Sequence, residues 1–101
     1  MPRFDVHRLK NPRVPLALNV QADLLSGLQT RVVVPLVPLE AAKKEAIEHL
    51  KPVLTIHNTR YLLMTTDIAT LPLTELGPVV TNLKEHHHVI TNALDFLFQG
   101  F

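Results

Sequence analysis

Residues 82–101 read NLKEHHHVITNALDFLFQGF. Ile90, Ala93, Leu94, Leu97 and Phe98 fall at i, i+3, i+4, i+7 and i+8, the spacing that places residues on one side of a helix. Asn82 followed by Glu85 is a capping-box pattern: the Asn oxygen takes a free backbone N–H, and the Glu reaches back to the Asn N–H. Gly100 stands where helices commonly stop. The pattern predicts one helix over Leu83 to Gln99, with its apolar stripe toward a core. The opposite side carries Asn92, Asp95 and Gln99, three polar groups aligned over roughly 10 Å of helix. The sequence then finishes on Gly100-Phe101. A large aromatic at a terminus calls for a contact on its own domain, on a second subunit or on a partner.

Upstream of this helix the chain reads as short strands. Phe4 to His7 alternates apolar with polar, as a short strand does. Lys10, Asn11, Pro12 and Arg13 mark a loop. Leu16 to Gln21 predicts a strand with Leu16, Leu18 and Val20 on one face and Asn19 on the other. Leu24 and Leu25 begin a loop through Ser26-Gly27; an adjacent pair cannot both face one core, so one is expected outside. Arg31 to Leu36, RVVVPL, is the strongest strand, and its continuous apolar run implies burial on both faces. Pro35 and Pro38 are expected to end it. For Leu39 to Leu50, Ala, Glu and Lys favour a helix that Pro52 stops. Val53 to His57 and Arg60 to Thr66 predict two strands joined at Asn58-Thr59. Leu71 to Leu73 predicts a short edge strand, and Gly77-Pro78 a turn. Many short strands followed by one terminal helix predict a mainly β, barrel-like α+β domain, not an alternating βαβ one.

With 101 residues, the chain is sized for a single domain over residues 1–101. An apolar fraction of 47% against 19% charged excludes disorder and leaves apolar surface for a partner, most simply a second copy. A formal charge of +1 provides no electrostatic footprint for nucleic acid. The absence of cysteine excludes disulfides and thiolate zinc sites. No apolar run is long enough to span a membrane, and no signal-peptide core is present, so a soluble cytoplasmic protein is expected.

The residues offer little catalytic chemistry. His86, His87 and His88 are consecutive, so on a helix they point about 100° apart and cannot converge on one ion. His7, His49 and His57 stand singly. Ser26 is the only serine, and no glycine-rich phosphate loop exists. Thr65-Thr66-Asp67 is expected to form a turn in which side chains satisfy backbone N–H groups. A catalytic alternative would draw on Arg31, Arg60, Asp67 and a histidine around one cleft. No metal, cofactor or catalytic residue is expected.

Four segments taken together carry a family resemblance: Asn19 to Leu25 (NVQADLL), Arg31 to Leu36 (RVVVPL), Met64 to Ala69 (MTTDIA) with Pro72, and Asn92 to Phe101 (NALDFLFQGF). In this order and spacing they resemble the CcdB family of plasmid-addiction toxins, whose pattern runs VQ-x-D, R-x-V-I-P-L, M-T-T-D-x-A-x-x-P and N-A-I-N-L-M-F-W-G-I. The resemblance implies an SH3-like small β-barrel of short antiparallel strands with one C-terminal α-helix. It implies a cytoplasmic homodimer that binds the DNA gyrase A subunit and traps the gyrase–DNA cleavage complex. It implies a CcdA-like antitoxin whose C-terminal segment wraps the toxin, and joint repression of the operon, so that DNA is met only through antitoxin or gyrase. The part matching residues 39–50 is loop and short strand in the family, against the local helix propensity. The gyrase-binding residues implied are Leu24, Leu25, Asn92, Asp95, Phe98, Gln99, Gly100 and Phe101. Three of them depart from the pattern: Gln99 replaces Trp, Asp95 replaces Asn and Phe101 replaces Ile. A Gln cannot make the Trp–arginine cation–π contact. Two alternatives therefore stand beside the gyrase poison: a non-toxic or retargeted homologue acting as antitoxin binder and co-repressor, and a MazF-like endoribonuclease on the same barrel.

Overall fold

The computed structural model describes residues 2–100. Seven strands, β1 (Asp5–Arg8), β2 (Leu16–Asn19), β3 (Thr30–Pro38), β4 (Val53–Ile56), β5 (Thr59–Leu63), β6 (Ala69–Pro72) and β7 (Val79–Asn82), form one antiparallel sheet in the order β4-β5-β3-β2-β1-β7, with β6 also on β3. Two helices, α1 (Leu39–Ala42) and α2 (His87–Gln99), complete the chain. The result is a mainly β half-barrel of antiparallel strands with a C-terminal helix, in keeping with the mainly β, barrel-like domain expected.

The organising strand is β3. Its β-branched run fits a pleated surface buried on both sides. One edge pairs with β2, from Leu16 opposite Leu36 to Asn19 opposite Val33. The other edge is shared: Thr30 to Val33 pair with β6, and Leu36 to Pro38 pair with β5. Changing partners along one edge lets the sheet curl. Pro35 does not end the strand, contrary to expectation, whereas Pro38, paired with Tyr61, is its last residue, as expected. The Pro35 carbonyl accepts the Met64 N–H at 2.9 Å, on the β5 side. Within a strand the N–H and C=O of one residue point the same way, so the missing proline donor falls where β6 hands over to β5.

The core lies between this sheet and α2. Val6, Leu18 and Val34 stand opposite one another on β1, β2 and β3, and Ile90 and Ala93 of α2 close over the same cluster. The other face of β2 is buried too. Asn19, expected on the face opposite Leu16, Leu18 and Val20, is buried there; its Oδ1 accepts the Gln21 N–H at 3.0 Å and its Nδ2 donates to the Pro2 carbonyl at 3.3 Å. His7 is buried on β1, with Nδ1 at 3.0 Å from the Gly77 carbonyl and, among the described residues, no hydrogen-bond partner for Nε2. Gly77 is required here: a Cβ would sit 2.7 Å from the Arg8 carbonyl oxygen. Its N–H donates to that oxygen at 2.8 Å, and the Arg8 N–H donates to Pro78 at 3.0 Å, which leads the chain into β7. The strand β7 was not anticipated from the sequence.

Several boundaries differ from expectation for identifiable reasons. The helix expected over 39–50 is one turn, α1, then a 3-10 turn over Lys43–Glu45. Leu39 and Ala42 pack on Leu62 and Met64, but residues 43–49 are all exposed, so the next turns have nothing to pack on. A helix that short gains too little from propensity alone. Ile47 instead bridges to Lys51 around His49, whose φ is 71°. This agrees with the family-based expectation and overrides the composition. The β4–β5 hairpin turns at His57-Asn58, one residue earlier than expected; both have positive φ, 48° and 67°, as in a type I′ turn. Phe4 has φ 74°, so β1 begins at Asp5. The strand expected over 71–73 is β6, and it ends as Leu73–Glu75 enter a 3-10 turn.

The terminal helix starts later than predicted. Lys84–His86 form a 3-10 turn before α2. Half of the capping box is present: Asn82 Oδ1 accepts the Lys84 N–H at 2.8 Å. Asn82 Nδ2 is turned to the Arg3 carbonyl at 3.0 Å and Asp5 Oδ1 at 2.9 Å, tying the helix start to β1. Gly100 closes α2 in the left-handed conformation, its N–H donating to Phe96 at 3.0 Å.

Candidate partner-binding surface

Two groups of residues were singled out by the sequence, and both are outside the core. The first is the loop between β2 and β3. Asp23–Leu25 form a 3-10 turn that buries none of its residues. Leu24 is 94% exposed and Leu25 47% exposed, so both leucines face outward rather than one. Leu28, not anticipated, is 51% exposed and extends the same loop. Its signal in the sequence was a third leucine in a segment with no strand or helix period to absorb it.

The second group lies on α2. Asn92 and Gln99 are exposed and Asp95 is half-buried, so the polar stripe is confirmed with Asp95 partly sheltered. Phe98 was placed on the apolar stripe by spacing, yet it is 71% exposed. Ile90 and Ala93 are buried, Leu94 and Leu97 half-buried. The stripe leaves the core as the helix runs out, and the last turn projects Phe98, Gln99 and Gly100 into solvent. Phe101 lies outside the described residues. Asp23 borders a depression with Arg3, Asn82 and Lys84, which precede the helix, whereas Phe98 and Gln99 close it.

Beside α2 a groove of about 460 Å³ runs between the Ile47–Lys51 bridge and the helix. Ile47, Val53 and Val89 line it with exposed apolar surface, and Asn92 stands at its edge. Sequence reasoning missed this feature because Ile47 was assigned to a helix and the groove arises only where that helix fails to form.

The candidate catalytic residues do not assemble a site. Arg31 is 3% exposed, and its guanidinium donates to the carbonyls of Ser26, Leu28 and Thr30. Thr65 is buried, with Oγ1 3.5 Å from the Leu63 carbonyl. The turn at Thr65–Asp67 is a 3-10 turn held by backbone bonds, Asp67 N–H to Met64 and Ile68 N–H to Thr65, not by side chains capping N–H groups as expected. Asp67 is exposed and lines a second groove with Arg13, Val37, Met64 and Glu45. His86, His87 and His88 are exposed, with the last two rings 3.9 Å apart. Among the described residues no three His, Asp or Glu side chains are grouped to hold a metal.

A solved endoribonuclease in complex with its cognate antitoxin, from a Mycobacterial species, has the same fold, with a TM-score of 0.77 over 97% of this chain and 94% of that one. The two are 18% identical, so the likeness is one of fold. The model of the CcdB protein family matches residues 3–100. The chain belongs to the CcdB family.

Proposed function

We propose that this toxin-family protein acts as a cytoplasmic homodimer that binds the DNA gyrase A subunit and traps the gyrase–DNA cleavage complex. Its contacts are Leu24, Leu25, Asn92, Asp95, Phe98, Gln99, Gly100 and Phe101. The mechanism is binding without catalysis: two symmetry-related helix ends enter the opened gyrase dimer and block religation. A CcdA-like antitoxin neutralises it and represses the operon with it. The observation that carries the reading is the exposure of Leu24 and Phe98, large apolar side chains that do nothing for the core of this domain. Expression without antitoxin should stop growth and accumulate gyrase–DNA adducts. Purified protein should be captured by the gyrase A subunit, and deletion of Phe101 should abolish capture. A folded dimer with no affinity for gyrase A sinks the proposal. If growth continues but Gln99→Trp arrests it, the protein is instead a family member that has lost the gyrase anchor and serves as an antitoxin binder.

A second reading is favoured by the endoribonuclease with the same fold. Arg31 is unsuited to it, because its donors are held by backbone carbonyls. Asp67, Arg13 and Glu45 line one groove, which is where such chemistry would have to be sought. Cleavage of single-stranded RNA that is lost in Asp67→Asn would establish that reading.

A further inference from the structure

The loop that carries Leu24, Leu25 and Leu28 outward has no core of its own. Order in such a segment must come from somewhere other than apolar burial. Two buried polar side chains lie beneath it. The Arg31 guanidinium donates to the carbonyl oxygens of Leu28 and Ser26 at 2.7 Å and of Thr30 at 2.8 Å. The ion pairs among the described residues do not include it. A buried cation without a carboxylate is costly unless its hydrogen bonds are met. Here they are met by main-chain dipoles of one loop. Gln21, also buried, donates from its amide to Leu25 at 3.0 Å and Thr30 at 3.3 Å, and its oxygen accepts the Val32 N–H at 3.1 Å. At the loop entrance Asp23 Oδ1 accepts the Arg3 N–H at 2.7 Å.

We propose that Arg31 and Gln21 are positioning residues that hold the leucine loop in one exposed conformation before a partner arrives. The loop then presents its three leucines to an apolar pocket without a further ordering cost, as preorganised binding surfaces do. This rests on the reading that the face bearing Leu24 and Leu25 meets the gyrase A subunit. A planar guanidinium reaches several carbonyls at fixed angles; a lysine ammonium, a single nitrogen on a flexible stem, cannot replace it.

The test compares wild type, Arg31→Lys, Gln21→Met and Leu24→Ala. Each is titrated with purified gyrase A subunit, and backbone amide exchange is followed residue by residue. Arg31→Lys should bind at least about tenfold more weakly, which is about 1.4 kcal/mol. The amides of Leu25, Ser26 and Leu28, each bonded within the loop, should exchange faster. Amides of β2 and β3 at Leu18 and Val34 should keep their protection. A purely structural role would lower protection everywhere and leave the folded fraction binding normally. Leu24→Ala should weaken binding with loop exchange unchanged. If Arg31→Lys does not fold, Gln21→Met carries the same comparison. Loop amides that stay protected in both variants, or loosened loops that bind gyrase as tightly as wild type, overturn the proposal. Leu24→Ala binding at full strength while Arg31→Lys still loosens the loop would instead overturn the gyrase-facing role of this surface, separately from the loop-ordering role.

Discussion

Ile90 and Phe98 stand two turns apart on one helix and on one sequence stripe, yet truncation of each should do different things. Ile90 is fully buried against the sheet, so Ile90→Ala should cost roughly 2–5 kcal/mol of folding stability. Phe98 leaves 71% of its surface in water. Removing it should change stability by less than about 1 kcal/mol, since little apolar area is lost and Ala is the better helix former. Binding is where the cost should appear. Full burial of a Phe side chain is worth about 1.5–3 kcal/mol, and the 71% still exposed corresponds to about 1–2 kcal/mol. At about 1.4 kcal/mol per decade, Phe98→Ala should weaken gyrase A binding about 5- to 30-fold. Chemical unfolding curves and a gyrase A titration on the same preparations separate the two effects. The reasoning fails if Phe98→Ala unfolds as readily as Ile90→Ala, because the side chain then supports a core. It fails equally if a stable Phe98→Ala protein binds with unchanged affinity.

Two further outcomes follow from local geometry. Gly77→Ala places a Cβ 2.7 Å from the Arg8 carbonyl oxygen, so the backbone must shift and endanger the bonds from Gly77 to Arg8, Arg8 to Pro78 and His7 to Gly77. At roughly 0.5–1.5 kcal/mol each, a loss of about 1.5–4.5 kcal/mol in unfolding free energy is expected, and a change within about 0.5 kcal/mol would show that the strand pair tolerates the shift. His57→Asn with Asn58→Gly supplies the residues that a type I′ turn prefers and should raise stability by about 1 kcal/mol; an unchanged denaturation midpoint would argue that the two left-handed residues are unstrained.

Much of the proposed binding face was legible in the sequence. Leu24 and Leu25 lacked a period that would bury both, and Asn92, Asp95 and Gln99 aligned on the side of α2 away from Ile90 and Ala93. Leu28 and the groove lined by Ile47, Val53 and Val89 were not, since each depends on a segment that the rest of the fold leaves uncovered. Arg31 was legible as a cation but not as a loop anchor. Its role depends on three carbonyl groups arriving around it, and backbone carbonyls carry no sequence signature.

By itself the sequence determined what depends on neighbours a few residues away. The apolar stripe of α2, the β-branched run of β3, the polar turn around residues 10–13 and the existence, though not the register, of the hairpin after β4 are local patterns that sterics and burial read directly. The tertiary structure alone decided where those patterns stop. Leu39 to Leu50 has helical composition, but only its first turn finds Leu62 and Met64 to pack on. Pro35 stays inside a strand because two different strands share that edge of β3, and its absent donor falls between them. Phe98 belongs to an apolar stripe that outlasts the sheet it packs on, so a residue with a core pattern becomes surface. In each case propensity is worth tenths of a kcal/mol per residue, while burial or its absence is worth several times that, and burial is set by the whole fold.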